Sequence, residues 1–132
     1  MHGATTHFPF ALVVCAAGFD TAALLFPERR WASELQVAGY WSMVVAALGS
    51  VGAVASGIVM TRGVVVGHGL LRLHHLFAWP AFALLIALAT WRVAAGQHTT
   101  RRGMKGYVVA VVIAAGFVAA AAYWGGELMM QA

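Results

Sequence analysis

The chain has 132 residues, of which 62% are hydrophobic and only 9% are charged. A soluble domain of this size cannot bury so large a share of apolar side chains, so the composition excludes an ordinary soluble enzyme and indicates a membrane protein. The net charge of +4 comes mostly from the connections between apolar segments. Such a distribution is typical of membrane topology and is poor evidence for nucleic-acid binding.

Four long apolar segments separate the charged residues. We predict helices at about 8–26, 36–61, 70–92 and 105–128, because each segment approaches the roughly 20 residues that cross ~30 Å of hydrocarbon. Backbone groups in lipid must be paired within the segment, which favours helices over open strands. The first segment lacks the basic region of a signal peptide, so we expect it to remain as a mature helix. The sequence therefore predicts an all-α fold: a four-transmembrane-helix bundle with up-down-up-down topology, forming a single integral membrane domain over residues 1–132.

The basic residues predict the orientation of this bundle. Arg62 and Arg72 flank the second connection, whereas six basic residues lie in or beside the first and third connections. Those six are Arg29, Arg30, Arg92, Arg101, Arg102 and Lys105. Short loops rich in lysine and arginine stay in the cytoplasm, so we expect both termini on the external side.

Three histidines lie where the first and third segments begin, and alternating chain direction would bring those beginnings to the same external face. They are His7, His74 and His75. An imidazole at membrane depth is costly unless something binds it, so the group predicts a cofactor site. His74 and His75 are adjacent and point about 100° apart on a helix, so at most one faces an inward ligand. The sequence leaves open which one does.

Two imidazoles from different helices are a common way to hold a b-type haem. Arg72 would then reach a propionate, and Trp79 would pack near the ring. Gly49 and Gly52 belong to rows of small residues that let a flat ring, or simply another helix, approach the backbone closely. The alternatives are a non-haem metal, a pigment magnesium, or histidines that only hydrogen-bond to backbone or water.

Two acidic residues are associated with the predicted spans. Asp20 lies roughly 20 Å along the helix from His7, at 1.5 Å per residue, and we expect it to pair with Arg92 or Arg30. A structural ion pair is the favoured role for Asp20, and a proton relay is the alternative. Glu127, at the external end of the fourth segment, would orient a histidine, contact a quinone or simply remain exposed.

Several short strings of this sequence occur together in one known family. The chain opens with His2 and His7-Phe8-Pro9, and it closes with Gly125-Gly126-Glu127-Leu128. Between them come Asp20 late in the first segment, Gly49, Gly52 and Gly57 in the second, and His74 or His75 with Arg92 in the third. With these motifs the chain resembles, over nearly its whole length, the bacterial inner-membrane proteins of the domain of unknown function 2231 family.

The resemblance implies a multi-pass protein of the bacterial inner membrane, so the external termini would be periplasmic. It also implies a role in electron transfer, because relatives look like small cytochrome b-type bundles. The chain has one cysteine, Cys15, so it contains no Cys-x-x-Cys-His motif, and any haem would be held non-covalently. We expect a subunit that binds one haem b near the periplasmic face and passes electrons within a larger redox complex. Its partners would be other membrane subunits, a periplasmic cytochrome or membrane quinone.

We do not expect such a subunit to be an enzyme on its own. The competing hypothesis is a cofactor-free structural or assembly subunit of a respiratory or photosynthetic membrane complex.

Overall fold

A computed structural model describes residues 2–131, and the side chains of residues 7–131. Within that range the chain forms four α-helices and no strands: α1 (His2–Leu25), α2 (Ala32–Met60), α3 (Gly69–Ala95) and α4 (Arg101–Gln131). Each helix is long and apolar enough to cross a membrane. The predicted all-α, four-helix membrane fold is confirmed.

Each helix begins before its predicted first residue. Helix α2 also includes Glu34 and Leu35, and α4 also includes Arg101 and Arg102. The predicted bounds follow the apolar residues, but glutamate, leucine and arginine are good helix formers and extend a helix beyond the hydrocarbon. Pro9, predicted for the first helical turn, lies further inside α1 because that helix begins at His2.

The ends of the helices follow local sequence signals. Helix α2 ends before Arg62 and Gly63, which both have positive φ, and Gly63 N–H donates to Ile58 O at 2.9 Å. Helix α3 ends before Gly96, whose φ of 87° closes the helix with an N–H bond to Arg92 O. Such left-handed residues are usual at helix C-termini. At the start of α4, Thr100 Oγ1 accepts a hydrogen bond from Gly103 N–H, as an N-cap does.

Short connections make consecutive helices neighbours. Helix α1 packs on α2 and α4, and α3 packs on α2 and α4, so α1 and α3 lie diagonally across the bundle. The hairpins α1–α2 and α3–α4 are packed more extensively within themselves than against each other.

The buried core lies between the middle of the bundle and the end that holds Arg92. Its members are mostly alanine, valine, leucine and methionine, including Val13, Met43, Leu85 and Val111. Toward the opposite end, the buried side chains of α3 begin only at Ala81. The end that carries the histidines is therefore the less buried end. Most other large apolar side chains are exposed on the outside of the bundle, where lipid would cover them.

The predicted orientation can be tested with single cysteines in a Cys15→Ala background. An impermeant maleimide added to intact cells should label Val64→Cys, in the connection between α2 and α3, but should label Gln97→Cys only after the membrane is permeabilised. If Gln97→Cys, and not Val64→Cys, were labelled in intact cells, the protein would have the opposite orientation.

Candidate functional site

His74 joins α3 to α4. Its Nδ1 atom lies 2.8 Å from Ala121 O on α4. Because a carbonyl oxygen can only accept, the Nδ1 atom of His74 carries a proton and donates it. Gly125 lets the backbone of α4 come close, since a Cβ at that position would lie 3.2 Å from His74 Nδ1. One glycine of the closing Gly125-Gly126 motif is thus explained by its contact with His74.

His75 and Trp79 bind the connection between α2 and α3. The Nδ1 atom of His75 donates to Val66 O at 3.1 Å, and Trp79 Nε1 donates to Val65 O at 2.9 Å. The two rings lie beside each other, with centroids 6.2 Å apart. His74 and His75 therefore have different partners, as two adjacent residues of a helix must.

The other predicted site residues are more dispersed. His7 is exposed on α1, diagonally across the bundle from α3, and Arg72 is exposed near the start of α3. Gly49 contacts α1, since a Cβ at that position would lie 3.0 Å from Pro9 Cγ. A Cβ at Gly52 would have no atom of another helix within 4 Å. The structure thus brings His74, His75 and Trp79 together and uses Gly49 for helix packing.

No group of three His, Cys, Asp or Glu side chains within the described part of the chain is arranged to hold one metal ion. A groove of about 300 Å³ between α2 and α3 is lined by apolar residues such as Ala47, Leu48 and Ala89, and no histidine lines it. Haem ligation requires only one or two protein ligands, so it does not depend on such a group of three.

The opposite end of the bundle contains a fully buried ion pair. Arg92 and Asp20 are both 0% exposed, and Arg92 Nη2 lies 3.1 Å from Asp20 Oδ1. The same nitrogen donates to Gln36 O on α2 at 2.8 Å and to Gln97 O after α3 at 3.3 Å. Of the two partners that the sequence allowed for Asp20, the structure shows Arg92 and not Arg30.

Helix α4 completes the surroundings of Arg92. The ring centroid of Tyr107 lies 5.2 Å from Arg92 Cζ, within cation–π range, and Met104 Sδ lies 3.9 Å from Nη1. Trp91 in turn stacks on Tyr107, with ring centroids 5.2 Å apart. We call Asp20, Gln36, Arg92, Met104 and Tyr107 the Arg92 cluster. Through it one guanidinium on α3 contacts each of the other three helices.

Gly39 makes room for the carboxylate of the Arg92 cluster. A Cβ on Gly39 would lie less than 3.0 Å from the Asp20 carboxyl group, closer than real Cβ atoms approach. The sequence alone does not identify Gly39, Gln36, Met104 or Tyr107 as members of this site. Their roles depend on how deep each lies against a neighbouring helix, and no spacing motif marks them.

Gly39→Ala is expected to lower the free energy of unfolding by about 2 kcal/mol or more, because the added methyl group displaces the buried carboxylate. Gly18→Ala is the matched control: it is also a helix-interior glycine, but its Cβ would meet no atom within 4 Å. That control should be neutral or stabilising by up to about 1 kcal/mol. Denaturation in mixed micelles compares the two, and equal stability would contradict this packing account.

Comparison with known proteins agrees with this membrane architecture. The profile of a family described as "Predicted membrane protein (DUF2231)" matches residues 1–132. No curated protein and no solved structure gives a significant match. The match covers the entire sequence, from the opening histidine motif to the closing glycine motif. The chain therefore belongs to the DUF2231 family of predicted membrane proteins.

Proposed function

We propose that this integral membrane protein is a small electron-transfer subunit that binds one b-type haem at its histidine end. His74 or His75 on α3 and His7 on α1 would hold the haem iron. The observation that carries the proposal is the pair of hydrogen bonds from the Nδ1 atoms of His74 and His75 to backbone carbonyls.

These hydrogen bonds require a proton on the Nδ1 atom of both rings. A neutral imidazole that donates through Nδ1 carries its lone pair on Nε2, which is a common ligand atom for metals. A backbone carbonyl on the other nitrogen also holds the ring in one orientation and makes it a better ligand. The hydrogen bonds at Nδ1 of His74 and His75 are thus of the kind that a metal-ligating imidazole makes with its second nitrogen.

The location and burial of the histidine end are also compatible with a cofactor. The core is packed mainly at the other end, so a group bound near His74 and His75 would not disrupt most of it. Arg72 is exposed in the same first turns of α3 and would neutralise a propionate. Helices α1 and α3 lie across a diagonal, so His7 and the histidines of α3 would hold the haem from two different helices.

A bound haem would supply reversible one-electron transfer, and the residues of this chain would hold and orient it. A single haem near one face cannot carry electrons across the whole bilayer. The proposal therefore includes other membrane subunits of a redox complex, with a periplasmic cytochrome or membrane quinone as the exchange partner. In this role the protein is not a catalyst by itself.

The second hypothesis is a cofactor-free structural or assembly subunit. The same hydrogen bonds support it, because they join parts of the fold to each other. His74 fastens α3 to α4, and His75 with Trp79 fastens the connection after α2 to α3. Under this hypothesis the histidines only stabilise the fold, and the exposed apolar faces of the helices dock neighbouring subunits.

The absorption spectrum of the purified protein distinguishes the two hypotheses. Protein from a haem-sufficient host should show sharp haem bands that change on reduction with dithionite. The haem content of purified His7→Ala should fall roughly tenfold or more, because a ligand is lost. Either His74→Ala or His75→Ala should show the same loss. His98→Ala is the matched control, since His98 bonds Ser33 on the opposite side of the bundle.

Haem binding is contradicted if well-folded protein, supplied with haem, shows no haem bands. In that case His74→Ala should still lower stability, since the bond to Ala121 O would be lost, and this result would support the structural hypothesis.

A further inference from the structure

The Arg92 cluster contains four buried polar atoms without a hydrogen-bond partner among the described residues. They are Asp20 Oδ2, Gln36 Oε1, Arg92 Nε and Tyr107 Oη. Inside a membrane such groups are costly, because no bulk water is present to satisfy them. Elsewhere the chain satisfies its buried hydroxyl groups locally; Ser50 Oγ, for example, donates to Ala47 O at 2.7 Å. The unpaired atoms therefore concentrate around one ion pair.

The unpaired atoms do not satisfy one another, although their residues touch. Arg92 already contacts Asp20 through Nη2 and Oδ1, and it lies over the ring of Tyr107. The second carboxylate oxygen, the Nε–H group and the phenol are nevertheless not in hydrogen-bonding geometry with each other. Polar groups held near each other in this way are typically bridged by water.

The chemistry of the four atoms selects the ligand. Asp20 Oδ2 and Gln36 Oε1 can only accept, Arg92 Nε–H can only donate, and the Tyr107 hydroxyl can do either. A bridging molecule must therefore both donate and accept. The charges of Asp20 and Arg92 cancel locally, so neither a metal cation nor an anion finds an uncompensated partner.

From these observations we propose that the Arg92 cluster is a buried water-binding site, in which ordered water bridges Asp20 and Arg92 to Tyr107. Buried waters commonly occupy such places and make about three hydrogen bonds to otherwise unsatisfied groups. The site is independent of any cofactor at the histidine end, since it lies at the other end of the bundle.

Radiolytic hydroxyl-radical labelling tests this site, because radicals formed from bound water modify the side chains beside it. Met104 contacts Arg92, whereas Met43 is equally buried in the apolar core, and the two are 1% and 0% exposed. In lipid nanodiscs Met104 and Tyr107 should be modified roughly tenfold faster than Met43, because water lies next to them. Rates at Met104 and Tyr107 no higher than that at Met43 would overturn the proposal.

A conservative variant makes the test specific. Tyr107→Phe keeps an aromatic ring over Arg92 and removes only the hydroxyl group. It should lower the rate at Met104 severalfold and leave the rate at Met43 unchanged, since one partner of the water is lost. A Met104 rate that is unchanged in this variant would contradict a bridging role for the phenol.

Discussion

The structure depends most on one guanidinium buried in the membrane. Arg92 is fully buried, and it contacts Asp20 of α1, the Gln36 backbone of α2 and the Tyr107 ring of α4. Moving such a charge out of water is expensive, so it is tolerable only with its counter-ion and hydrogen-bond acceptors in place. These requirements fix the relative depth of all four helices, which apolar contacts between lipid-covered surfaces specify poorly.

The two ends of the bundle are consequently different. Around Arg92 all four helices are joined by polar contacts, and α1 and α2 approach so closely that a methyl group on Gly39 would collide with Asp20. At the histidine end, His74 and His75 are half-buried, and both donate hydrogen bonds to backbone carbonyl groups. One small bundle thus has a densely connected end around Arg92 and a less buried end around His74 and His75.

The sequence predicts the coarse architecture well, because apolar length and charge spacing determine membrane helices directly. It also predicts that Asp20 needs a cationic partner, since a carboxylate inside a membrane span is costly. It does not decide between Arg92 and Arg30 as that partner. What it could not predict are contacts that depend on the depth and rotation of neighbouring helices. The role of Gly39 and the bond from His74 to Ala121 O are examples. Gly49, expected near a cofactor or another helix, contacts the Pro9 ring instead of any histidine.

A double-mutant cycle on Asp20 and Arg92 tests the central claim most directly, with unfolding measured in mixed micelles for Asp20→Leu, Arg92→Leu and the double variant. Each single substitution leaves an uncompensated buried charge, which should cost about 3–5 kcal/mol. The double variant should be no less stable than either single variant, so the effects of the pair are strongly non-additive. If the losses from the two single substitutions simply add, the buried pair does not hold the bundle together.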